Sequence, residues 1–469
     1  MIPTLKTNAM LKPLSTSLLF LLTLFFLSFD APKKVPITPA TALQSYLNNG
    51  DKTYQWEMKD SFDMGDVKAY NLLLTSQKWR EHTWRHQLTV LVPKENQYDG
   101  ALLFITGGSN KSEQPNWNAK GKDDKVVQGL AGIAQKNKAI VTLLRQTPNQ
   151  PLYDNLTEDA LISFTLHNFK KDGDYSWPLL FPMVKSAVRA MDAVQEFSKQ
   201  TLQHDLNRFV VSGASKRGWT TWLTGANDKR VTAIAPMVID ILNMPVSLDY
   251  QVKVWKDYSV QIEDYVKLGI PQTARTENGN AISTMVDPYM YRKNLTMPKM
   301  IFMGTNDEYW VVDNIKNYFD DIPGQNLIHY VPNAGHSLGD GKSAFEGLGA
   351  FFGMTMAKKP YPICKWDIST TKKDVTVSVK TTPDALVDVI VWSANSPDSD
   401  FRNETWTSRS LGIKNKSKVE VSETYPASGY RAFYVDLKYA DPNGGTYTES
   451  TRMFVTDNDE VFLKPSTFQ

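Results

Sequence analysis

The Ser215 hydroxyl stands in the run FVVSGASKRGW, where an apolar stretch is followed by small residues. Such a run predicts a buried strand, a tight turn and a helix, the arrangement of a nucleophile elbow. Gly213 and Gly218 leave room for the chain to double back, although the usual G-x-S-x-G motif has its second glycine where Arg217 stands. A serine after a strand is also a common helix N-cap. The run therefore predicts an acyl-bond nucleophile at Ser215, with a capping serine as the alternative.

A carboxylate and an imidazole follow two later apolar runs. Asp307 ends the run GTND, which directly follows KMIFM, and His336 lies in VPNAGHS, which follows LIHYV. In serine hydrolases the acid orients the histidine and the histidine carries the proton. The order Ser, acid, His, each at the end of a predicted strand, is the chain order of α/β-hydrolases. We predict a triad of Ser215, His336 and Asp307, with Glu308 and Asp313 as rival acids.

The other histidines and the one cysteine indicate no metal or cofactor site. His329 stands at a predicted strand position, which favours a structural role, and Cys364 has no second cysteine with which to pair. The sequence has no HExxH motif, no pair of cysteines at ligand spacing and no phosphate-cradling glycine loop. We expect no cofactor and no metal.

An oxyanion hole needs backbone N–H groups aimed at the developing negative charge. The residue after the nucleophile, Lys216, is one expected donor, and the glycine pair Gly107-Gly108 after the early strand is the expected source of the second. A glycine pair is equally typical of a simple turn. For the side chains of Lys216 and Arg217 two alternatives stand: positive charge near the site, or exposure to solvent.

Short apolar runs alternate with helix-like segments over some 280 residues, which predicts a mostly parallel α/β sheet. Residues 36–60 are helix-like, and a helix is also expected between the last two strands. The predicted strands are Tyr70–Ser76, His86–Pro93, Ala101–Thr106, Ala139–Leu144, Phe209–Ser212, Ile234–Ile239, Lys299–Met303 and Leu327–Val331.

Two long segments without a clear period interrupt this pattern, at residues 146–178 and 245–295. Long irregular loops in compact domains are often active-site lids. We predict that both insertions cover the pocket and set substrate choice. The aromatic residues expected to do so are Tyr153, Tyr175, Trp177, Tyr250, Trp255 and Tyr258.

The composition changes near residue 360, where short alternating runs punctuated by Pro, Asn, Gly and Ser begin. This pattern is typical of an antiparallel β-sandwich. We predict an α/β-hydrolase-like catalytic domain at residues 36–360 and an Ig-like β-sandwich at 365–469. All predicted catalytic residues precede residue 340, so a chain ending near Tyr361 is expected to keep its serine reactivity.

The N-terminus is typical of a targeting segment. Lys6 and Lys12 precede the apolar stretch Leu18–Leu27, which is short for a membrane span but suits a signal-peptide core. We predict a signal peptide at residues 1–30 and a secreted or periplasmic protein, with an uncleaved anchor as the alternative. No later stretch is long and apolar enough to cross a membrane. The formal charge of +2 over 469 residues, without a long basic run, indicates no nucleic-acid partner.

The sequence resembles the PhoPQ-activated pathogenicity-related protein family, which includes the secreted autocrine proliferation repressors. The resemblance rests on VSGASKRGWTTWLT, DPYMYRKNLTMPKMIFMGTNDEYW and YVPNAGHSL, and runs from about residue 40 to 360. It implies an α/β-hydrolase-like fold, export, and links to virulence or to resistance against host peptides in bacteria. The family's Ser, Asp and His positions match Ser215, Asp307 and His336.

These observations favour an exported serine hydrolase that acts on an acyl bond, either peptide or ester. A second hypothesis is a non-catalytic signalling or binding protein built on a hydrolase scaffold, because fold does not imply function. A third is glycan binding by the C-terminal sandwich.

Overall fold

A large mixed β-sheet lies at the centre of the computed structural model, which describes residues 36–118 and 120–464. The strands are β1 (Gln55–Met64), β2 (Val67–Trp79), β3 (His82–Pro93), β4 (Gly100–Ile105), β5 (Asn110–Lys111), β6 (Gln114–Pro115), β7 (Ile140–Leu144), β8 (Arg208–Ala214), β9 (Val231–Met237), β10 (Lys299–Gly304), β11 (Asn326–Val331), β12 (Lys365–Thr370), β13 (Asp374–Lys380), β14 (Leu386–Ser396), β15 (Thr407–Ser410), β16 (Lys418–Thr424), β17 (Tyr430–Ala440), β18 (Thr446–Ser450) and β19 (Phe454–Thr456). The α-helices are α1 (Ala42–Leu47), α2 (Lys125–Asn137), α3 (Glu158–Asp172), α4 (Leu180–Phe197), α5 (Lys216–Asn227), α6 (Met244–Trp255), α7 (Glu263–Lys267), α8 (Glu277–Val286) and α9 (Lys342–Met356).

The first nine strands of the sheet lie in the order β1-β2-β3-β7-β4-β8-β9-β10-β11. From β7 to β11 all neighbours are parallel, whereas β1, β2 and β3 are antiparallel. The predicted α/β-hydrolase-like fold with a mostly parallel sheet is therefore confirmed. Its strands bring the ends of β8, β10 and β11 to one edge of the sheet, because parallel strands end on the same side.

Helices cover both faces of the parallel strands. Side chains of α4 and α5 belong to the hydrophobic core on one face, and those of α2 and α9 to the core on the other. Every residue of β4 and of β10 is buried, as expected for strands covered on both sides. The Asp124 carboxylate accepts hydrogen bonds from the N–H groups of Val126 and Val127, which caps α2 at its N-terminus.

Two sequence-based expectations of secondary structure are wrong. Residues 36–60 contain one short helix, α1, but the residues from Gln55 onward form β1 instead. This edge strand is exposed along most of its length, so it lacks the apolar pattern that reveals a strand. Between β10 and β11 the chain makes only short 3₁₀ turns, at Asn314–Asn317 and Phe319–Asp321, in place of the expected helix.

The C-terminal strands form two antiparallel sheets. β12, β13 and β16 make one, while β18, β17, β14 and β15 extend the central sheet beyond β11 through the pair Ile328 and Ser450. Buried valines of β13 and β16 share a core with β14 and β17. The chain from Ile37 onward forms one compact unit. The division at residues 360–365 into separate domains stays a prediction, because the central sheet continues without a break.

The predicted signal peptide at residues 1–30 lies outside the described residues. Among the described residues, none of the helices combines the length and the apolar character needed to span a bilayer.

Candidate active site

Ser215 lies in a sharp turn between β8 and α5. Its backbone has φ of 60° and ψ of −125°, a conformation that costs a residue with a side chain about 1–3 kcal/mol. A Cβ atom at Gly213 would lie 2.9 Å from the carbonyl oxygen of Ile105, and one at Gly218 would lie 2.6 Å from that of Met237. Both glycines are thus needed for the close approach of strand and helix. Gly218 permits this approach although it stands one place later than the second glycine of G-x-S-x-G.

The imidazole of His336 lies between the serine and an acid. Its Nε2 atom is 2.8 Å from Ser215 Oγ, and its Nδ1 atom is 3.0 and 3.1 Å from the two carboxylate oxygens of Asp307. The ring of Tyr309 stacks on the imidazole with 4.0 Å between the ring centroids. These distances allow Nδ1–H to donate to Asp307 while Nε2 accepts the serine proton, which is the arrangement that general-base activation requires.

The acid is buried at the end of β10. Asp307 is 6% exposed and also accepts a hydrogen bond of 2.8 Å from the N–H of Tyr309. Burial raises the pKa of Asp307, and the hydrogen bond with His336 acts in the opposite direction. The loops carrying the acid and the histidine are in direct contact, since the Asn306 N–H donates to the Ala334 carbonyl at 3.0 Å.

The rival acids have other partners. Glu308 accepts a hydrogen bond of 2.9 Å from the backbone N–H of His336, not from its ring. Asp313 immediately precedes a 3₁₀ turn, where it accepts from the Tyr250 hydroxyl and pairs with Lys316 at 2.6 Å. The other candidate histidine, His329, is buried against the Thr448 carbonyl and the Ser343 hydroxyl, in a structural position.

Neither alternative for the two basic residues holds in its simple form, because Arg217 is buried and Lys216 half-buried beside the site, and each pairs with a carboxylate there. Lys216 Nζ lies 2.6 Å from a carboxylate oxygen of Asp159. The Arg217 guanidinium makes two hydrogen bonds to the Glu158 carboxylate, at 2.6 and 2.7 Å. Burial favours the neutral form of Glu158, but the hydrogen bonds and charge of Arg217, together with Gln150 and Lys216, outweigh it and lower the pKa.

Arg217 also touches the glycine loop that was expected to supply an oxyanion donor. A Cβ atom at Gly107 would overlap its guanidinium, which in turn donates to the Thr147 carbonyl at 2.6 Å. Gly108 has φ of +145°, a conformation that favours glycine, and its carbonyl accepts a hydrogen bond from the Gln150 side chain. The oxyanion role of Gly107, Gly108 and the Lys216 N–H stays a prediction.

An apolar cavity of about 80 Å³ has Ser215 in its wall. The first insertion contributes Leu166, and the second contributes Ile262 and Ile282 among others. Both insertions therefore cover the pocket, as predicted. α8 alone places Gly279, Ile282, Ser283 and Val286 on the cavity wall, which is the i, i+3, i+4, i+7 spacing of one helix face.

The aromatic residues expected to line the pocket do not line this cavity. Tyr153 and Trp177 pack around Phe164, whereas the Trp255 ring lies against the Arg402 guanidinium, 3.9 Å from its centroid. Aliphatic side chains form most of the wall in their place. Of the aromatic residues in the second insertion, Tyr265 does line the cavity. Aromatic content identifies an apolar segment but not the face that packs inward.

The C-terminal region contacts the loops that carry the acid and the histidine. We call residues 401–406 the C-terminal clamp. The Asn306 side chain donates to three carbonyls of the clamp, most closely to Glu404 at 2.7 Å. The Asn333 side chain accepts from the Trp406 N–H at 2.7 Å and donates to its carbonyl at 3.0 Å. A chain ending near Tyr361 lacks these contacts, and the expectation that it keeps its serine reactivity stays a prediction.

We predict that Asn306→Ala slows acylation of Ser215 by about 10–100-fold, since a small misplacement of a catalytic group can cost about 10²-fold. The measurement is the labelling rate with a serine-directed probe on folded protein. Asn443→Ala is the matched control, because Asn443 bonds to Asn137, outside the clamp. Equal rates in the two variants would show that the clamp does not position the triad.

Several residues of the site were not identified from the sequence. They are Glu158, Asp159, Tyr309, Asn306 and Asn333. Two adjacent acids, Glu158 and Asp159, lie in the first insertion, and two adjacent bases follow Ser215. This match of charges was the one sequence signal that could have predicted the ion pairs. The two asparagines flank the predicted acid and histidine in sequence, but their partners lie some 70 to 100 residues away.

Comparison of the sequence with known proteins gives a match to one family. Residues 43–402 match the PhoPQ-activated pathogenicity-related protein family. The chain is 29% identical over 462 residues to autocrine proliferation repressor protein A of Dictyostelium discoideum, with 91% of each chain covered.

Solved structures similar to the chain include two hydrolases. One is acetyl xylan esterase 1 from Thermoanaerobacterium sp. JW/SL YS485, with a TM-score of 0.46 and 16% identity, covering 69% of this chain and 95% of that one. The other is an S-formylglutathione hydrolase from Agrobacterium tumefaciens, with a TM-score of 0.43 and 11% identity, covering 64% and 99%.

Proposed function

The chain belongs to the PhoPQ-activated pathogenicity-related protein family, and we propose that it is a serine hydrolase acting on an acyl bond, ester or amide. The observation that carries this proposal is the continuous hydrogen-bonded path from Ser215 Oγ through the His336 ring to Asp307. A serine that merely caps a helix does not need a histidine at 2.8 Å whose other ring nitrogen faces a buried carboxylate.

In this proposal Ser215 Oγ attacks the acyl carbon while its proton passes to His336 Nε2. The tetrahedral intermediate collapses as His336 returns that proton to the leaving alcohol or amine, which leaves an acyl-serine. Water then attacks the ester with His336 again as base, and the free acid and the serine hydroxyl are restored. Asp307 holds the imidazole in the required tautomer and stabilises its cationic form.

The proposed oxyanion donors are the N–H of Lys216 and the N–H groups of the loop Gly107-Gly108. Lys216 is the first residue of α5, where a helix leaves its N–H groups without partners in the helix. The Arg217 guanidinium packs against Gly107 and donates hydrogen bonds to the Thr147 carbonyl and to Glu158. These contacts support a rigid position for the glycine loop.

Purified protein assayed against a panel of acyl esters and aminoacyl amides tests the proposal. We expect saturable hydrolysis of at least one acyl class by wild type and none by Ser215→Ala, since the nucleophile is the group removed. If folded wild type neither hydrolyses the panel nor takes a serine-directed probe, the hydrolase proposal is rejected.

A second candidate is a non-catalytic exported signalling protein on the same scaffold. The similarity over 91% of its length to a protein named as an autocrine proliferation repressor favours it. The Ser215→Ala variant distinguishes the two candidates. A signalling effect that needs only the scaffold would be retained in this variant, whereas an effect that depends on hydrolysis would be lost.

Export of the chain, with a link to virulence or to antimicrobial-peptide resistance, remains part of the proposal. It rests on the basic and apolar N-terminal run and on the family resemblance. N-terminal sequencing of protein recovered outside the cytoplasm tests it, and a chain retained inside with its first residues intact would contradict it.

A further inference from the structure

The cavity beside Ser215 has a largely apolar wall, in which branched aliphatic side chains are the commonest kind. Ile239 and Ile241 come from the segment after β9, Leu166 from α3, and Ile282 and Val286 from α8. All of them are at least nine-tenths buried. A wall of this kind gains free energy from an apolar group and offers few hydrogen bonds to a polar one.

The two charged residues in this wall, Asp159 and Lys216, satisfy each other. Their charged atoms are 2.6 Å apart, and the Tyr265 hydroxyl donates to the Asp159 carboxylate at 2.9 Å. The neighbouring Glu158 is held by Arg217 in the same way. An ammonium or carboxylate in the substrate would have to break this half-buried ion pair to find a partner here, so a charged acyl group is disfavoured.

The cavity volume of about 80 Å³ limits the length of the group that fits. Pockets that hold drug-sized ligands have volumes of about 300–1,000 Å³, so this cavity suits a short group. A long fatty-acyl chain exceeds this volume unless the second insertion moves.

We infer that the cavity binds the acyl part of the substrate, and that this part is a short, uncharged aliphatic chain such as butyryl or hexanoyl. The inference rests on the proposed function, because it is Ser215 that would be acylated. The leaving group departs on the other side of Ser215, where His336 returns the proton. Esters and amides share this acyl chemistry, and the leaving group distinguishes them.

The inference is tested with a series of p-nitrophenyl esters from acetate to laurate. The succinate ester tests an anionic acyl group, and butyryl p-nitroanilide tests the amide bond. We expect kcat/KM to be highest for butyrate or hexanoate and at least about 10-fold lower for laurate and for the succinyl ester. Turnover of the anilide at a rate comparable to the butyrate ester would identify the amide as the natural bond; its absence would identify the ester.

Substitutions at Ile282 should move the optimum in opposite directions. Ile282→Ala enlarges the cavity and is expected to raise the ratio of octanoate to butyrate turnover by about 10-fold, whereas Ile282→Phe should lower it. Met285→Ala is the matched control, because Met285 is buried on the same helix but is not part of the cavity wall. It should lose stability without a change in chain-length preference.

Different failures have different meanings. Preference for laurate or for the succinyl ester, or an Ile282→Ala profile identical to that of Met285→Ala, overturns the inference while the nucleophile stands. Probe labelling at Ser215 without turnover of any short acyl substrate also overturns the inference and leaves the nucleophile assignment in place. Absence of both labelling and turnover in folded protein overturns the proposed function and, with it, this inference.

Discussion

A fluorophosphonate probe is expected to label the protein at one residue, Ser215. The probe reacts with a serine whose proton can be removed by a neighbouring base, and the Nε2 atom of His336 lies 2.8 Å from Ser215 Oγ. Ser215→Ala should abolish labelling. His336→Ala should slow it by about 10⁴–10⁶-fold, because removing the nucleophile or the base of a serine triad costs rates of this order.

Ser283→Ala provides the matched control for this experiment. Ser283 also lines the cavity, so the probe can reach it. Because Ser283 is not the nucleophile, the Ser283→Ala variant should be labelled at the wild-type rate. Mass spectrometry of the peptides should locate the adduct at Ser215. An adduct at Ser283, or none on folded wild type, would contradict the nucleophile assignment and favour the signalling candidate.

The second large effect is expected at the acid. Asp307→Asn keeps the shape of the side chain but presents an N–H₂ group or a neutral oxygen to His336 Nδ1. The histidine then loses its required tautomer and the stabilisation of its cation, and the labelling rate should fall about 10⁴-fold. Burial raises the pKa of Asp307, and its pairing with His336 opposes that rise, so the ionised form depends on this partner.

The rival acids give the controls. Asp313→Asn breaks a buried pair with Lys316, which is expected to cost up to about 3–5 kcal/mol of unfolding free energy. The labelling rate of the molecules that remain folded should be nearly unchanged. Glu308→Gln should have a small effect, because a glutamine oxygen can still accept the backbone N–H of His336. A thermal melt together with the labelling rate separates stability from reactivity.

If Asp313→Asn slowed labelling of folded protein as much as Asp307→Asn, the acid would be misassigned. If Asp307→Asn left the rate unchanged, His336 would act as base without an orienting carboxylate. The distances of 3.0 and 3.1 Å between His336 Nδ1 and the Asp307 oxygens make this second result the less expected one.

The edge of the sheet where Ser215, His336 and Asp307 meet could be predicted from the sequence alone. The runs ALLFI, FVVS, KMIFM and LIHYV are continuously apolar, and strands buried on both faces need that pattern wherever they occur. The parallel order then carries Ser215, Asp307 and His336 to one edge. Local sequence was sufficient here because both the strand signal and the turn residues act within a few positions.

Features that depend on partners far apart in the chain could not be predicted in this way. β1 is an exposed edge strand, so its residues carry no burial pattern and only pairing with β2 makes it a strand. The C-terminal strands alternate like a separate sandwich, yet β18 joins the central sheet because the free edge of β11 offers unpaired backbone groups.

Charge and packing at the site follow the same division. The sequence determined that Lys216 and Arg217 follow the nucleophile, but whether they face solvent depended on Glu158 and Asp159, about 60 residues earlier. It determined two insertions rich in aromatic residues, while only the folded chain decided that aliphatic side chains such as Ile282 would line the cavity. Periodicity and turn chemistry are local properties of a chain, whereas the partner of a charge and the inward face of an insertion are set by the packing of distant residues.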